Sequence, residues 1–95
     1  MNAIELKASL TANQPPSSLS VYHQALWWEA KGNWDKAHTL IQDLPDRNAA
    51  WIHAYLHRVE GDQWNADYWY RKASKPSCKL SLEQEWEELV MGINN

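Results

Sequence analysis

The chain has few of the residues that build disulfide-bonded, phosphate-binding or membrane-spanning proteins. Its 95 residues include one cysteine, Cys78, so neither an intrachain disulfide nor a multi-cysteine metal site can form. Three glycines are too few for a glycine-rich phosphate loop. No apolar run approaches the roughly 20 residues that cross a bilayer, and the first residues lack the apolar stretch of a secretory signal. We therefore expect a cytoplasmic protein that has no membrane partner.

Phenylalanine is absent, and seven tryptophans and four tyrosines supply all the aromatic rings. Both residue types combine a large apolar area with one polar atom, so they suit half-buried positions and binding surfaces as well as cores. A single domain of this size buries only about 60–70% of the surface of its unfolded chain. We therefore expect some of these rings to be at least partly exposed.

The charge balance argues against a nucleic-acid partner. Nine Lys and Arg residues face twelve Asp and Glu residues, which gives a net charge of −3 and a pI near 5.7. Nucleic-acid-binding domains usually carry a concentrated basic surface. The basic residues that cluster here are Arg71, Lys72, Lys75 and Lys79, and an acidic run from Glu83 to Glu88 follows them. Basic residues at the end of a helix are explained by the helix dipole alone.

Prolines and glycines divide the chain into segments typical of helices joined by short loops. The apolar spacing predicts helices over residues 19–31, 34–44, 47–60, 63–74 and 81–93, after an N-terminal segment. Each predicted helix follows a residue that can cap its first turn. The predicted N-caps are Ser17 or Ser18, Asn33, Asp46, Asp62 and Ser81. Ser81 and Gln84 also form the pattern of a capping box.

The middle of the chain contains an internal repeat. A shift of 29 residues (61 minus 32) superimposes the glycines expected at tight turns and the alanines expected where two helices pack. It also superimposes the predicted helix starts and stops. The superimposed pairs are Gly32 with Gly61, Ala25 with Ala54, Ala37 with Ala66, and Asn33 with Asp62. These residues define one supersecondary unit, a helix pair with a small residue at the crossing, a glycine at the tight turn and a second alanine in the returning helix. Such a unit is stable only when it is stacked on a neighbour.

The runs from Ala25 to Ala37 and from Ala54 to Ala66 resemble tetratricopeptide repeats, and residues 65–73 resemble the second helix of Sel1-type repeats. The resemblance covers about residues 18–76. It departs from the family in its period of 29 rather than 34, and Gln63 stands where an aromatic residue is usual. The resemblance implies an all-α domain of two tandem helix-turn-helix hairpins, at about 18–45 and 47–76, with an N-terminal segment and a capping helix at 81–93. Residues 53–62 also resemble a family of small bacterial proteins, a resemblance that implies no activity.

If the tetratricopeptide resemblance holds, the first helix of each hairpin lines a concave binding face. The residues that the resemblance places on that face are Tyr22, Leu26, Glu29, Trp51, Tyr55 and Arg58. Trp, Tyr and Arg are the residue types enriched at binding hot spots. In so short a domain the same stripe can instead be covered by the N-terminal segment or by the last helix.

His53 and His57 form a second candidate site, because a spacing of four places both imidazoles on one face of a helix, where they can share a metal ion. Ala54 stands where a zinc protease motif needs a glutamate, which excludes that activity. A third ligand would have to come from elsewhere, and the sequence offers Cys78, Asp62 or Asp67. The alternative is that both histidines face the core and hydrogen-bond there.

No catalytic motif and no cofactor-binding motif is present, so the sequence favours a binding protein over an enzyme. The first hypothesis is a helical-repeat module that binds a protein or peptide, or another copy of itself. The second is a small-ligand or metal-binding protein, with or without an enzymatic activity, centred on His53 and His57.

Overall fold

The protein is all-α. A computed structural model describes residues 2–94, and within that range it has six α-helices and no strand. The helices are α1 (Ala3–Ala8), α2 (Val21–Ala30), α3 (Trp34–Ile41), α4 (Arg47–Val59), α5 (Gln63–Lys72) and α6 (Leu82–Gly92), with a 3-10 turn at Ser9–Thr11 after α1. None of these helices combines the length and apolarity needed to cross a bilayer, and the longest, α4, has 13 residues.

Polar N-caps begin the helices, as the sequence predicts for four of them. The side chains of Asn33, Asp46, Asp62 and Ser81 each accept a hydrogen bond from the backbone N–H three residues further on. Gln84 completes the capping box, because its side chain accepts from the backbone N–H of Ser81 while its own N–H donates to the Ser81 hydroxyl. Each such cap satisfies amides that the first helical turn leaves without partners.

Two tight turns depend on glycine. Gly32 has a φ of +86° and Gly61 a φ of +83°, a backbone conformation that costs other residues about 1–2 kcal/mol. Each glycine follows the C-cap of one helix, and the next residue, Asn33 or Asp62, donates its N–H back to the carbonyl of Trp28 or His57. These same two residues are the N-caps of α3 and α5, so one residue ends a helix and begins the next.

Helix boundaries differ from the predicted ones by up to three residues. The prediction that Ser17 or Ser18 caps α2 is wrong, since the cap is Ser20, whose hydroxyl accepts from the N–H of His23. Leu19 is buried just outside the helix, and its place in the core fixes where the helix starts. Helix α3 stops at Ile41 rather than at Leu44, the residue before Pro45, where helical conformation is disfavoured.

The core lies where the helices cross. α2 packs against α3 and α4 against α5, while α3 also packs against α4. Helix α6 lies against α4, α2 and α1, and its Trp86 and Leu89 are buried there. The four alanines aligned by the 29-residue shift are all completely buried, namely Ala25, Ala37, Ala54 and Ala66. These small side chains allow the helix backbones to approach closely.

Candidate functional site

The apolar residues of the expected concave face lie inside the protein. Leu26, Trp51 and Tyr55 are 0%, 6% and 3% exposed. Trp86 of α6 lies over this stripe and donates its indole N–H to the backbone carbonyl of Leu26 at 3.0 Å. The chain's own last helix therefore covers the surface that an open groove would leave free.

The polar residues of the same face are bonded within the chain. The hydroxyl of Tyr22 donates to Asp46 at 2.7 Å, and the hydroxyl of Tyr55 donates to Glu29 at 2.9 Å. Burial raises the pKa of the Glu29 carboxyl and also raises the pKa of the Tyr55 hydroxyl. These bonds use side chains that a peptide ligand in the groove would have to contact.

Arg58, the sixth residue of that face, belongs to a buried ionic network. Its guanidinium donates to Glu85 of α6 at 2.6 Å and to the backbone carbonyl of Leu80 at 2.6 Å. Glu85 is completely buried and also accepts from the hydroxyl of Tyr70. Burial and this carboxylate raise the pKa of Tyr70. The network fastens α6 to α4 and α5.

His53 and His57 lie together with a third histidine, His38 of α3. We call these three residues the histidine cluster. The Nε2 atoms of His38 and His53 are 2.9 Å apart, and the rings of His53 and His57 are stacked with their centroids 4.9 Å apart. One potential ligand nitrogen from each ring lies within 4.8 Å of the other two. The cluster therefore bridges α3 and α4.

Two tryptophans hold the rings of the histidine cluster. Trp69 of α5 stacks on His53 with the centroids 3.8 Å apart, and Trp34 stacks on His38 at 4.8 Å. Trp34 also donates its indole N–H to the carbonyl of Leu56 at 2.7 Å, which fixes its position. The imidazoles are thus confined between large flat side chains.

Burial keeps the imidazoles of His53 and His38 neutral near pH 7. Desolvation, reinforced by the charges that His38 and His57 would carry, lowers the pKa of His53 to about 3. Desolvation also lowers the pKa of His38. His57 is less enclosed, and its Nδ1 lies 2.6 Å from the carboxylate of Glu60. Neutral imidazoles keep a nitrogen lone pair available to a ligand.

The outer side of α5 carries large side chains that the fold does not bury. Trp64 is 76% exposed and Tyr68 is 38% exposed, one helical turn apart. The ammonium of Lys72, one turn further, lies 5.5 Å from the Tyr68 ring and 5.9 Å from the Trp69 ring. We call Trp64, Tyr68 and Lys72 the α5 aromatic face.

Two features of this site were not predicted from the sequence. His38 joins the histidine cluster only because α3 packs on α4, and no spacing along the chain reveals that contact. Trp64 and Tyr68 could have been found from the repeat, since the 29-residue shift aligns them with Asp35 and Thr39, both exposed. The three ligands suggested beside the histidine pair were Cys78, Asp62 and Asp67. Of these, Asp62 lies near His57 and Glu60, whereas Asp67 accepts hydrogen bonds from Gln63 and Ser77.

Comparisons with protein-family models, with curated proteins and with solved structures each give no significant match. The function is therefore inferred from the geometry of the chain itself.

Proposed function

We propose that this chain is a small helical-repeat module that binds a peptide segment of a partner protein through the α5 aromatic face. In this proposal α2–α3 and α4–α5 are two tandem repeats of the tetratricopeptide kind, and α6 is the capping helix.

The repeat interpretation is supported by equivalent features at equivalent positions. Gly32 and Gly61 have nearly the same positive φ, and the residue after each glycine caps the next helix. The aligned alanines are all buried, as helix crossings in stacked hairpins require. The period of 29 residues, shorter than that of the family it resembles, leaves only short connections between the hairpins.

The observation that carries the binding proposal is the exposure of Trp64. Scattered exposed apolar residues are normal, but an exposed tryptophan one helical turn from a half-exposed tyrosine, with a lysine one turn beyond the tyrosine, is a more specific arrangement. Tryptophan and tyrosine contribute most to binding energy when a partner removes them from water. Truncating a tryptophan that a partner buries at the centre of an interface typically weakens binding by at least about 2 kcal/mol.

The cations at the C-terminal end of the α5 aromatic face favour an acidic partner segment. Lys72 belongs to the α5 aromatic face, and Arg71 and Lys72 are both exposed in the last turn of α5. The chain as a whole has a net charge of −3, so an acidic segment would be attracted only locally, at this end of α5. Complementary charge mainly raises the association rate and selects the partner.

Site-specific crosslinking tests this proposal. A photoreactive benzoylphenylalanine replaces Trp64 in one variant and Asp35, its repeat-equivalent on α3, in a matched control. Irradiation of cells that naturally produce the chain, followed by mass spectrometry, is expected to give one protein adduct at position 64 and none at position 35. The adduct should lie next to Asp or Glu residues. No adduct at position 64, or the same adducts at both positions, would refute binding through this face.

A further inference from the structure

We propose that the histidine cluster binds one divalent transition-metal ion through the imidazole nitrogens of His38, His53 and His57. This function is separate from peptide binding, because the cluster lies between the two hairpins and none of its members belongs to the α5 aromatic face.

The geometry brings three nitrogen donors together from two helices. All three potential ligand atoms lie within 4.8 Å of one another. Two nitrogens bound to a tetrahedral ion at about 2.0–2.1 Å are about 3.3 Å apart. The 2.9 Å between the Nε2 atoms of His38 and His53 is slightly shorter than this, so the two rings need to separate by only a few tenths of an ångström.

The hydrogen bond between His38 and His53 supports the same conclusion. Two neutral imidazoles whose Nε2 atoms face each other share a single proton, which belongs to one ring and is accepted by the other. A metal ion would take the place of that proton, and the displaced proton would move to the Nδ1 of the same ring. Both nitrogens would then donate lone pairs to the ion without a charged imidazolium being formed.

Glu60 supplies the outer support that metal-binding histidines usually have. Its carboxylate lies 2.6 Å from the Nδ1 of His57. In the tautomer this bond favours, Nδ1 carries the proton and the lone pair is on Nε2. A carboxylate in this position orients the ring, raises the basicity of the ligand and partly balances the charge of the ion.

The donor set restricts which ions would bind. Three imidazoles without a thiolate suit Zn²⁺, Cu²⁺, Ni²⁺ or Co²⁺, whereas Mg²⁺ and Ca²⁺ prefer oxygen ligands. Cys78 belongs to none of the potential ligand groups in residues 2–94. Three protein ligands leave at least one coordination position for water or an added ligand.

The experiment uses the full chain without an affinity tag, freed of metal with a chelator that is then removed, and titrated with Zn²⁺ alone in a calorimeter. We expect one equivalent to bind and the melting temperature to rise. His38→Gln, His53→Gln and His57→Gln should each weaken Zn²⁺ binding at least about tenfold, and Glu60→Gln about tenfold to a hundredfold. Circular dichroism establishes that each variant remains helical.

The fourth histidine provides the matched control. His23 is buried, with Ser20 and the backbone carbonyl of Val90 as its hydrogen-bond partners, and it belongs to none of the potential metal-ligand groups in residues 2–94. His23→Gln should bind Zn²⁺ as the parent does. If His53→Gln fails to fold, His38→Gln and Glu60→Gln carry the test, because both residues are more exposed. Absence of saturable binding of Zn²⁺, Cu²⁺, Ni²⁺ and Co²⁺, equal loss in His23→Gln, or undiminished binding in the cluster variants would overturn the proposal and leave a purely hydrogen-bonded group.

Discussion

Individual residues in this protein differ in role according to which side of a helix they occupy. Arg58 has the side-chain chemistry of a binding hot spot, yet its guanidinium is bonded to a completely buried carboxylate, Glu85. Trp64, by contrast, is 76% exposed. Residue type alone does not determine whether a side chain is bonded inside the fold, as Arg58 is, or left exposed, as Trp64 is. The difference depends on where α6 docks.

The buried network leads to a prediction about stability. Glu85→Ala removes the acceptor for Arg58 and Tyr70 and leaves the Arg58 guanidinium, whose side chain is only 14% exposed, without its carboxylate. Breaking a buried ion pair from one side costs about 3–5 kcal/mol. Urea denaturation should show that Glu85→Ala lowers the free energy of unfolding by about this amount. The control, Glu88→Ala at an exposed position of the same helix, should change it by less than about 0.5 kcal/mol. Similar losses in both variants would mean that the network contributes little.

The histidine cluster leads to a prediction about pH. In the metal-free chain, His53 stays neutral until about pH 3 when folded. The unfolded chain takes up a proton on this residue near pH 6.5. Between these values the unfolded state binds more protons, so stability falls as the pH decreases from about 6.5, and above that pH the residue has no effect.

His53→Gln isolates this contribution from that of the other titratable groups in the chain. In denaturation experiments with a chelator present, the parent should lose about 1 kcal/mol more per pH unit below pH 6 than the variant does. Parallel stability curves for the two proteins would show that His53 is protonated in the folded state without penalty.

At the scale of helices, most starts and stops could be predicted from the sequence, because capping chemistry is local. Asn33, Asp46, Asp62 and Ser81 cap helices as expected, and Gly32 and Gly61 end them. The start of α2 could not be predicted, since Ser17, Ser18 and Ser20 are all competent caps and only the burial of Leu19 selects among them. Capping residues do not predict a helix boundary where tertiary packing determines it.

The helix crossings can be tested by enlarging a small residue. Ala25 and Ala54 are completely buried at equivalent places in α2 and α4. Replacing either one by leucine should overpack the crossing and lower the free energy of unfolding by about 1–3 kcal/mol. Ala8→Leu, at an exposed position of α1, is the control and should leave stability nearly unchanged. If Ala25→Leu and Ala54→Leu both match the parent, the helices do not cross at these alanines.

At the scale of the whole molecule, the sequence indicates the helices and their repeat but leaves open how the last helix docks. From the sequence, the expected concave face was either open to a ligand or covered by the N-terminal segment or the last helix. Trp86 and Glu85 of α6 cover it, through contacts to Leu26 and Arg58 that are 60 and 27 residues away along the chain. Only part of the histidine cluster was predicted from the sequence. His53 and His57 share a helix, whereas His38 joins them through the packing of α3 on α4.

The central claim is that Trp64 serves a partner rather than the fold. The most direct measurement is the dissociation constant of the crosslinked segment, made as a labelled peptide, for the parent and for Trp64→Ala by fluorescence anisotropy, with Thr39→Ala as the control. We predict that Trp64→Ala weakens binding by at least about 2 kcal/mol, roughly thirtyfold. Its unfolding free energy should stay within about 0.5 kcal/mol of the parent, as expected of an exposed residue. Unchanged affinity would contradict the account.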